Sequence, residues 1–399
     1  MREGWEKKPL LDVAQVVMGQ SPPGTSYNLT GDGLPFIQGS AEFGERHPAP
    51  VKWCTDPRKI AEPGDLLLSV RAPVGDLNVA SKRIAVGRGL SIIRGHDELA
   101  STSYLGHALA FGTHELVKRS STGMFSSITG AQLKSLPVAL PPLHEQKRIV
   151  DLMDSVDAAI SAAQAEVDTV SALQGRVLAK EMGSQGADWE KVTFGEVADT
   201  LLGKALSRGE GQTEGGTPYL RYANVSWGAI DSTDLNRMTF SESEAEKYSL
   251  RVGDLLVAEA RHVGKCALVS EPLDGICYQN SLHRVRADES RTSTAFLALV
   301  LRHLVNDGTV ARFTTAQTIP HLSQGKLRSL PFDLPPLHEQ RSIVSVMDAL
   351  ATTAVAAQTS LDRLRDLRSS MLSVLLSGEH EIPASYDQFL DLSEVVQAG

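Results

Sequence analysis

The sequence predicts an α+β fold in which two tandem β-rich domains are separated by two long helices that form a coiled coil. The duplication does not by itself fix their orientation, but a pseudo-twofold symmetric arrangement of the two halves would require an antiparallel coiled coil. Three observations carry this prediction. The segment SLPVALPPLHEQKRIV at 135–150 returns as SLPFDLPPLHEQRSIV at 329–344, an offset of 194 residues. Short apolar runs punctuated by Pro and Gly precede each copy, and apolar residues in a four-three spacing follow each copy.

Length and composition bound the class of protein. The 399 residues suit two or three domains, and 42% apolar residues are ordinary for a soluble globular chain. No apolar run approaches the roughly 18 residues of a membrane span, and acidic residues near the start argue against a signal peptide. The three cysteines have no CxxC spacing, which argues against disulfides and structural zinc. We therefore expect a cytoplasmic protein without membrane contact.

A fixed frame surrounds a divergent interior in each half. Trp5 with Glu6 and Lys7 matches the WEK of 189–191, and GDLLL at 64–68 matches GDLLV at 253–257. Arg71 matches Arg261 in the same comparison. A frame that repeats serves folding and assembly, whereas interiors that diverge would read two related but different targets. Drift after gene duplication is the alternative.

The β-rich part of each half reads as strands and turns. In the first half, DLLLSV at 65–70 and LSIIRG at 90–95 are typical of buried strands, and SPPG at 21–24 is typical of a turn. A Pro-Pro pair at 141–142 then ends this part, because proline is tolerated at a helix start.

The two helices carry a heptad pattern that predicts a coiled coil. One polar residue interrupts each apolar seam at equivalent places, Gln174 and Arg368. Two separate amphipathic helices, each packed on its own β-rich part, are the alternative. The predicted seam residues are Ile149, Met153, Val156, Ile160, Val167 and Val170 in the first helix, and Ile343, Met347, Leu350, Leu361, Leu364 and Met371 in the second.

The repeated LHEQ sequence lies in the first turn of each helix. Acidic side chains there complement the helix dipole and can cap free N–H groups. A second role is compatible with the first, because two equivalent patches would dock two copies of one partner. The predicted partner-binding residues are Leu143, Glu145, Gln146, Leu337, Glu339 and Gln340.

No catalytic constellation is found in the sequence. The Asp/Asn-Pro-Pro-aromatic motif of adenine methyltransferases and the GxxxxGK[ST] phosphate loop are both missing. His144 and His338 lack the second histidine of a HExxH zinc motif. A nuclease built from Asp254, Glu259 and Lys265 is a weak alternative with poor spacing. The sequence thus predicts no catalytic residue, no metal and no cofactor.

The chain resembles the specificity (S) subunit of type I restriction–modification systems. The resemblance rests on the W-x4-L/F-x2-V-A opening, the Gly-Asp-Leu-Leu strand and the doubled Pro-Pro-Leu-x-Glu-Gln helix start, and it covers about 5–377. It implies two target-recognition domains that read a split DNA sequence, and helices that set the gap. It also implies two methyltransferase (modification) subunits and motor-nuclease (restriction) subunits as partners, which carry the chemistry, S-adenosylmethionine and ATP.

The resemblance divides the chain into five segments. They are a first target-recognition domain at 1–142, a first spacer helix at 143–184, a second target-recognition domain at 185–336, a second spacer helix at 337–377 and an acidic tail at 378–399. The formal net charge of −9 departs from a simple DNA binder, since phosphate contacts need Lys and Arg. It suggests that affinity depends on clamping by the partners.

DNA contacts should come from Arg, Lys, Asn, Gln, Ser or Thr on groove-facing loops. Arg71 and Arg261 would hold phosphates, with a salt bridge to Asp65 or Asp254 as the alternative. A tandem-domain scaffold that binds protein without DNA specificity remains the other function. The predicted DNA-binding residues are Gln38, Arg71, Lys82, Arg83, Arg88, Ser121 and Thr122 in the first half, and Arg221, Asn224, Arg261, Gln279, Asn280, Arg312, Thr315 and Gln317 in the second.

Overall fold

A computed structural model of the chain describes residues 4–119, 127–184, 186, 188–205, 215–314 and 320–390. The chain divides into two compact units, the first made of Met1–Gln164 with Thr359–Gly399 and the second of Ala165–Gln358. Each unit holds one β-rich part and one half of each long helix. The predicted α+β architecture is confirmed, although the folded units group the five consecutive segments differently.

The first half of the chain, up to the end of the first long helix, contains eleven strands and four helices among its described residues. The strands are β1 (Glu6–Pro9), β2 (Ala14–Met18), β3 (Tyr27–Asn28), β4 (Leu34–Ile37), β5 (Lys52–Cys54), β6 (Ile60–Ala61), β7 (Leu66–Ser69), β8 (Leu77–Val79), β9 (Ile84–Val86), β10 (Leu90–Gly95) and β11 (Pro137–Leu140). The helices are α1 (Leu10–Val13), α2 (Thr102–Arg119), α3 (Gly130–Lys134) and α4 (Leu143–Gly183).

The second half repeats this order with differences in its interior. Its strands are β12 (Glu190–Thr193), β13 (Ala198–Leu202), β14 (Thr217–Leu220), β15 (Val225–Ser226), β16 (Ala229–Ile230), β17 (Asn236–Met238), β18 (Leu255–Ala258), β19 (Cys266–Leu268), β20 (Cys277–Tyr278), β21 (Leu282–Ala287) and β22 (Pro331–Leu334). Its helices are α5 (Phe194–Val197), α6 (Glu242–Lys247), α7 (Thr294–Asn306), α8 (Thr309–Phe313), α9 (Gln324–Arg328), α10 (Leu337–Ser377) and α11 (Asp387–Leu390).

The fixed frame of each unit is one four-stranded antiparallel sheet. Its order is β2-β10-β7-β8 in the first unit and β13-β21-β18-β19 in the second. The register also repeats, since Ile93 lies opposite Leu66 and Val285 lies opposite Leu255. All residues of β7 and β18 are buried, which explains why both strands read as continuous apolar runs.

The divergent interiors form different sheets. The first unit has a five-stranded sheet of order β3-β5-β4-β9-β6, whereas the second has β17-β14-β20 and a separate β15-β16 pair. One feature is shared, because β4 pairs in parallel with β9 and β14 pairs in parallel with β20. A short antiparallel pair, β1-β11 or β12-β22, ties the start of each β-rich part to the strand before the long helix.

The long helices run antiparallel within each unit. In the first unit, Ile149 and Met153 of α4 share a buried core with Leu372 and Leu376 of α10. In the second unit, Leu178 near the end of α4 shares a core with Ile343 and Met347 near the start of α10. Every predicted seam residue is buried or half-buried, which fits a heptad stripe. The cores also take in Leu178, Leu372 and Leu375, which the predicted list omits.

The two polar interruptions of the seam are used differently. Gln174 is buried in the second unit. Arg368 lies in the first unit and forms a two-pronged ion pair with Asp157, with Nη2 donating to Oδ2 at 3.0 Å.

None of the described helices combines the length and the apolar character that a membrane crossing requires.

Candidate nucleic-acid interface

A buried carboxylate fixes the frame beneath the candidate interface in each unit. Asp65, at the start of β7, accepts hydrogen bonds from Arg94 Nε and Nη2 at 2.6 and 2.8 Å. Asp254, at the start of β18, accepts from Arg286 Nε and Nη2 at 2.6 and 3.0 Å. The paired carboxylate raises the pKa of both guanidinium groups. These are structural ion pairs, so Asp65 and Asp254 do not bind Arg71 and Arg261.

Backbone hydrogen bonds give the true correspondence after these strands. Val70 N donates to Gly89 O at 2.9 Å, and Glu259 N donates to Ser281 O at 3.0 Å. Val70 and Glu259 therefore occupy equivalent places. It follows that Arg71 corresponds to Ala260, which agrees with their β-bridges to Ser127 and His321. The predicted match of Arg71 to Arg261 is corrected by one residue.

Three predicted DNA-binding residues of the first unit come together. Gln38, Arg71 and Arg88 line one open cleft of about 260 Å³, whose floor includes Gly89 and Ser69. The Gln38 amide is held by Ser21, since Nε2 donates to its Oγ at 3.0 Å. Both arginines are exposed, and within the described residues neither has a carboxylate partner. The cleft thus presents two exposed cations beside an oriented amide.

The equivalent place in the second unit is built from different side chains. The Arg261 guanidinium lies over the Tyr222 ring, 5.3 Å from its centroid. Arg261 has a φ of 63°, and it is the one non-glycine residue with positive φ among the described residues. Such strain persists where the surrounding structure holds it. Ser281 Oγ accepts from Tyr222 N at 3.0 Å, and the half-buried Gln279 and Asn280 immediately precede Ser281.

The prediction for Asn224 is corrected by its burial. Only 4% of this residue is exposed, and its Nδ2 donates to Asp231 O and Asp234 O at 2.9 and 2.8 Å. Its Oδ1 accepts from Arg221 N at 3.0 Å. Asn224 therefore shapes a loop, and both its amide nitrogen and its amide oxygen are engaged within that loop. Arg221 donates from Nη2 to Asp234 at 2.7 Å, so its charge is already compensated.

Of the remaining predicted DNA contacts, Lys82, Arg83 and Arg312 are not among the residues that line the cleft or contact Tyr222. Lys82 and Arg83 are exposed on the turn before β9, where Arg83 pairs with Glu62 at 3.2 Å. Arg312 is exposed on α8, and its Nη2 donates to Thr309 Oγ1 at 2.6 Å. The predictions for Ser121, Thr122, Thr315 and Gln317 fall outside the described residues.

The helix starts explain the repeated LPPLHEQ motif. The Pro142 carbonyl accepts from Glu145 N and Gln146 N at 2.9 and 3.0 Å. Trp5 Nε1 donates to Glu145 Oε2 at 3.1 Å, and Gln146 Nε2 donates to Leu99 O and Pro141 O. The second unit repeats these bonds with Pro336, Trp189, Glu339, Gln340 and Arg291.

The docking role predicted for these side chains is corrected in part. Glu145, Gln146 and Gln340 are buried and bind their own unit, so they are not a surface. Leu143 remains exposed at 44%, whereas Leu337 and Glu339 are half-buried. Any docking surface at the helix starts must therefore use the exposed turn around Leu143, His144 and their equivalents.

No group of three or more His, Cys, Asp and Glu that could hold a metal occurs in the described part of the chain. Of the residues in the nuclease alternative, Asp254 is bound by Arg286, and burial raises the pKa of Glu259. The three cysteines are buried, and burial raises the pKa of Cys266 to about 12, which disfavours a thiolate nucleophile.

A family model for the type I restriction modification DNA specificity domain matches the chain twice, over residues 2–168 and 186–363. Together these matches cover most of the sequence. The chain belongs to this family.

Named relatives of the family are specificity subunits. The putative type I restriction enzyme MjaX specificity subunit of Methanocaldococcus jannaschii is 36% identical over 41% of this chain and 39% of its own length. The EcoKI specificity subunit of Escherichia coli K12 is 22% identical over 94% of this chain and 89% of its own length. The S subunit structure from M. genitalium covers 93% of this chain and 96% of its own, with 14% identity and a TM-score of 0.58.

Several residues that shape the candidate interface could not be predicted from the sequence, or were not. Arg94 and Arg286 hold the frame, and Tyr222 supports Arg261. The signal for the first two was present, because LSIIRG and LHRVRA place an arginine at the same point of two matching strands. Tyr222 had no such signal, since it lies in the divergent interior.

Proposed function

We propose that this chain is the non-catalytic DNA sequence-recognition subunit of a type I restriction–modification enzyme. It binds a bipartite double-stranded target, with one half-site read by each unit. The observation that carries the proposal is the cleft of Gln38, Arg71 and Arg88 just after β7, because Arg261 lies over Tyr222 just after the matching strand β18, one residue further along. Two copies of one frame with different polar side chains suit two different half-sites.

The side chains in these places have the chemistry that DNA contacts need. Exposed guanidinium groups such as those of Arg71 and Arg88 bind phosphates or guanine edges, and an amide such as Gln38 can pair with adenine. Asn280 and Gln279 offer amides in the second unit. The contact of the Arg261 guanidinium with the Tyr222 ring restricts the orientation of its N–H donors. Phosphate contacts would position each unit, and the amides would specify bases.

The partners follow from the family and from what this chain lacks. Two methyltransferase (modification) subunits would dock at the two helix starts, and restriction subunits would join through them. S-adenosylmethionine and ATP would be bound by those partners. The antiparallel helices would set the gap between the half-sites, in a cytoplasmic complex. The net charge of −9 supports a DNA clamp completed by the partners.

A methylation map tests the proposal. The chain is co-expressed with its candidate methyltransferase partner, and modified sites are mapped genome-wide by single-molecule sequencing. We expect a split motif of two short blocks separated by a fixed unspecified gap. A Gln38→Ala variant should alter one block and leave the other unchanged, whereas Asn280→Ala should do the reverse. A soluble complex that methylates no split motif would favour the scaffold function instead.

A further inference from the structure

A four-residue turn beside the candidate interface is built alike in both units. Its last N–H donates to its first carbonyl oxygen, from Leu90 to Gly87 at 3.2 Å and from Leu282 to Gln279 at 3.0 Å. Each turn directly follows the short strand, β9 or β20, that pairs in parallel with β4 or β14. We call these two segments the paired turns, and they comprise residues 87–90 and 279–282.

Backbone hydrogen bonds outside the paired turns place their residues in one-to-one correspondence. The first residue of each turn donates its N–H to the last residue of β4 or β14, at 2.8 Å in the first unit and 2.9 Å in the second. The third residue of each turn accepts, through its carbonyl oxygen, the N–H of Val70 or Glu259. Arg88 and Asn280 therefore occupy the same place, which is the second residue of the turn.

Two of the three polar places in the cleft of the first unit change their character in the second unit. Gln38 follows the last residue of β4 and so corresponds to Arg221, which donates to Asp234 and whose Nη1 is buried. Arg71 corresponds to Ala260, which has no polar side chain. Neither place therefore offers an open polar side chain in both units.

The third place is polar and accessible in both units. Arg88 is exposed and has no carboxylate partner among the described residues. Asn280 is half-buried, and within the described part of the chain no hydrogen bond engages its side-chain amide. Its backbone is held, since its N–H donates to Lys204 O at 2.9 Å. Both side chains thus extend from a turn whose backbone is fixed.

Each of the paired turns is also fastened to the segment that follows β4 or β14. In the first unit, Gly89 N donates to Gln38 O at 3.1 Å, and the approach is so close that a Cβ atom at Gly89 would lie 2.5 Å from that oxygen. In the second unit, the Ser281 hydroxyl binds Tyr222 N instead. A side chain on a fixed turn loses little conformational freedom on binding, which favours selective contacts.

We propose that this shared place reads one base pair in each half-site, and that Arg88 selects guanine whereas Asn280 selects adenine. The inference deepens the proposed function and rests on it. In the major groove, a guanidinium donates to O6 and N7 of guanine, and an asparagine amide pairs with N6 and N7 of adenine. Phosphates present the same acceptors at every step of the duplex, so a phosphate contact gives no reason for the two units to differ here.

Reciprocal replacement in the complex of this chain with its methyltransferase partner tests the inference. Arg88→Asn should exchange one guanine for adenine in one block of the mapped methylation motif, and Asn280→Arg should exchange one adenine for guanine in the other block. In each variant, the block read by the unaltered unit is the internal control. Arg83→Asn is the matched control in the first unit, because Arg83 is exposed but pairs with Glu62, and it should leave both blocks unchanged.

Binding of the purified complexes to duplexes that carry each base in turn at every position of the mapped blocks is the second measurement, and it does not require methylation. Arg88→Ala should lower the preference for one guanine by about tenfold or more, and Asn280→Ala should do the same for one adenine of the other block. All other positions should keep their preferences.

Three results would overturn the inference while split recognition stands. They are a motif that both reciprocal variants leave unchanged, a loss of affinity that is uniform over all duplexes, and a loss of preference at a base other than the assigned one. A uniform loss would identify phosphate contacts at this place. An unaltered complex whose methylation map shows no split motif would overturn both the inference and the proposed function.

Discussion

The indole Nε1 of Trp5 donates a 3.1 Å hydrogen bond to Glu145 Oε2, which lies 140 residues further along the chain. Trp189 and Glu339 repeat the bond at 2.9 Å. This contact ties the first residues of each β-rich part to the first turn of the following long helix. The Glu side chain thereby fixes the direction in which the helix leaves its domain, which explains why both halves keep the WEK and HEQ sequences.

Replacement of Glu145 by alanine should destabilise the first unit. The change leaves the buried indole N–H of Trp5 without its acceptor, which costs about 1–3 kcal/mol for a buried donor. Peptide-resolved hydrogen exchange would report the loss as faster opening of β1 and of the start of α4. His144→Ala, on the neighbouring exposed residue, is the control and should change the opening free energy by less than about 0.5 kcal/mol. Equal effects of the two changes would contradict the structural role of the bond.

The frame of each half could be predicted from the sequence because the frame repeats. Local sequence patterns mark the duplicated strand, the duplicated helix start and the heptad stripe. The spacing of apolar residues in such a pattern is enough to predict a strand or a helix. Side-chain partners are not local, so Arg94 and Arg286 were missed as the partners of Asp65 and Asp254. The burial of Glu145 and Gln146 could not be predicted for the same reason. Both are polar residues of a type usually found on the surface, and the fold brings Trp5 and Leu99, distant in sequence, into contact with them.

The divergent interiors resisted prediction for a second reason. Arg71 and Arg261 follow matching strands, but one residue separates their places once backbone hydrogen bonds define the register. The positive φ of Arg261 has no sequence signal, since glycine is the residue that usually marks it. Only three-dimensional pairing shows that Gln38, Arg71 and Arg88 share a cleft.

Asn224 and Asn280 should respond oppositely to replacement by alanine. Asn224→Ala removes three hydrogen bonds of a buried loop and should destabilise the second unit by about 2 kcal/mol, without a specific change in the DNA sequence bound. Asn280→Ala should leave stability within about 0.5 kcal/mol and alter one half-site. Thermal unfolding and methylation mapping of both variants check this. A stable Asn224→Ala chain with altered specificity would show that the loop assignment is wrong.

Replacement of Arg71 by alanine should weaken DNA binding without regard to sequence. Arg71 is exposed in its cleft and has no carboxylate partner among the described residues, which suits a phosphate contact. Loss of one phosphate contact should reduce the slope of log affinity against log salt by about 1. Binding of the assembled complex to matched and mismatched duplexes at several salt concentrations measures this slope. Arg83→Ala, whose charge already pairs with Glu62, should have the smaller effect.

The stability of the first unit should fall as pH drops below neutrality, in part through His107. Burial is the main cause of the lowered pKa of His107. The positive charges of Arg368 and Arg46 also lower this pKa, whereas the negative charges of Asp154 and Asp157 raise it. The unfolded chain, with a histidine pKa near 6.5, therefore binds the proton more readily than the folded chain. The contribution is fully present above about pH 6.5 and is lost as pH falls, with a limit of about 1.4 kcal/mol per pH unit for one proton.

A His107→Gln variant isolates this contribution. Its unfolding free energy should depend less steeply on pH between 7 and 5 than that of the unaltered chain, when both are followed by urea denaturation. Identical slopes for the His107 variant and the unaltered chain would show that His107 does not contribute.

The ion pair between Arg368 and Asp157 should behave as a coupled unit inside the helix seam. Both side chains are about a third exposed, at 30% and 31%, so the loss of either partner should cost about 1–2 kcal/mol rather than the larger cost of a fully buried charge.

Arg368→Leu leaves the Asp157 carboxylate against an apolar neighbour, and Asp157→Leu leaves the guanidinium there. The double variant places two leucines at the seam, where leucine packs well. We therefore expect its stability to return to within about 0.5 kcal/mol of the unaltered chain, because a buried ion pair and a well-packed apolar pair are often equivalent. Urea unfolding of all four chains completes a double-mutant cycle. If the two losses simply added in the double variant, the pair would be two independent surface charges, and Arg368 would not be part of the seam.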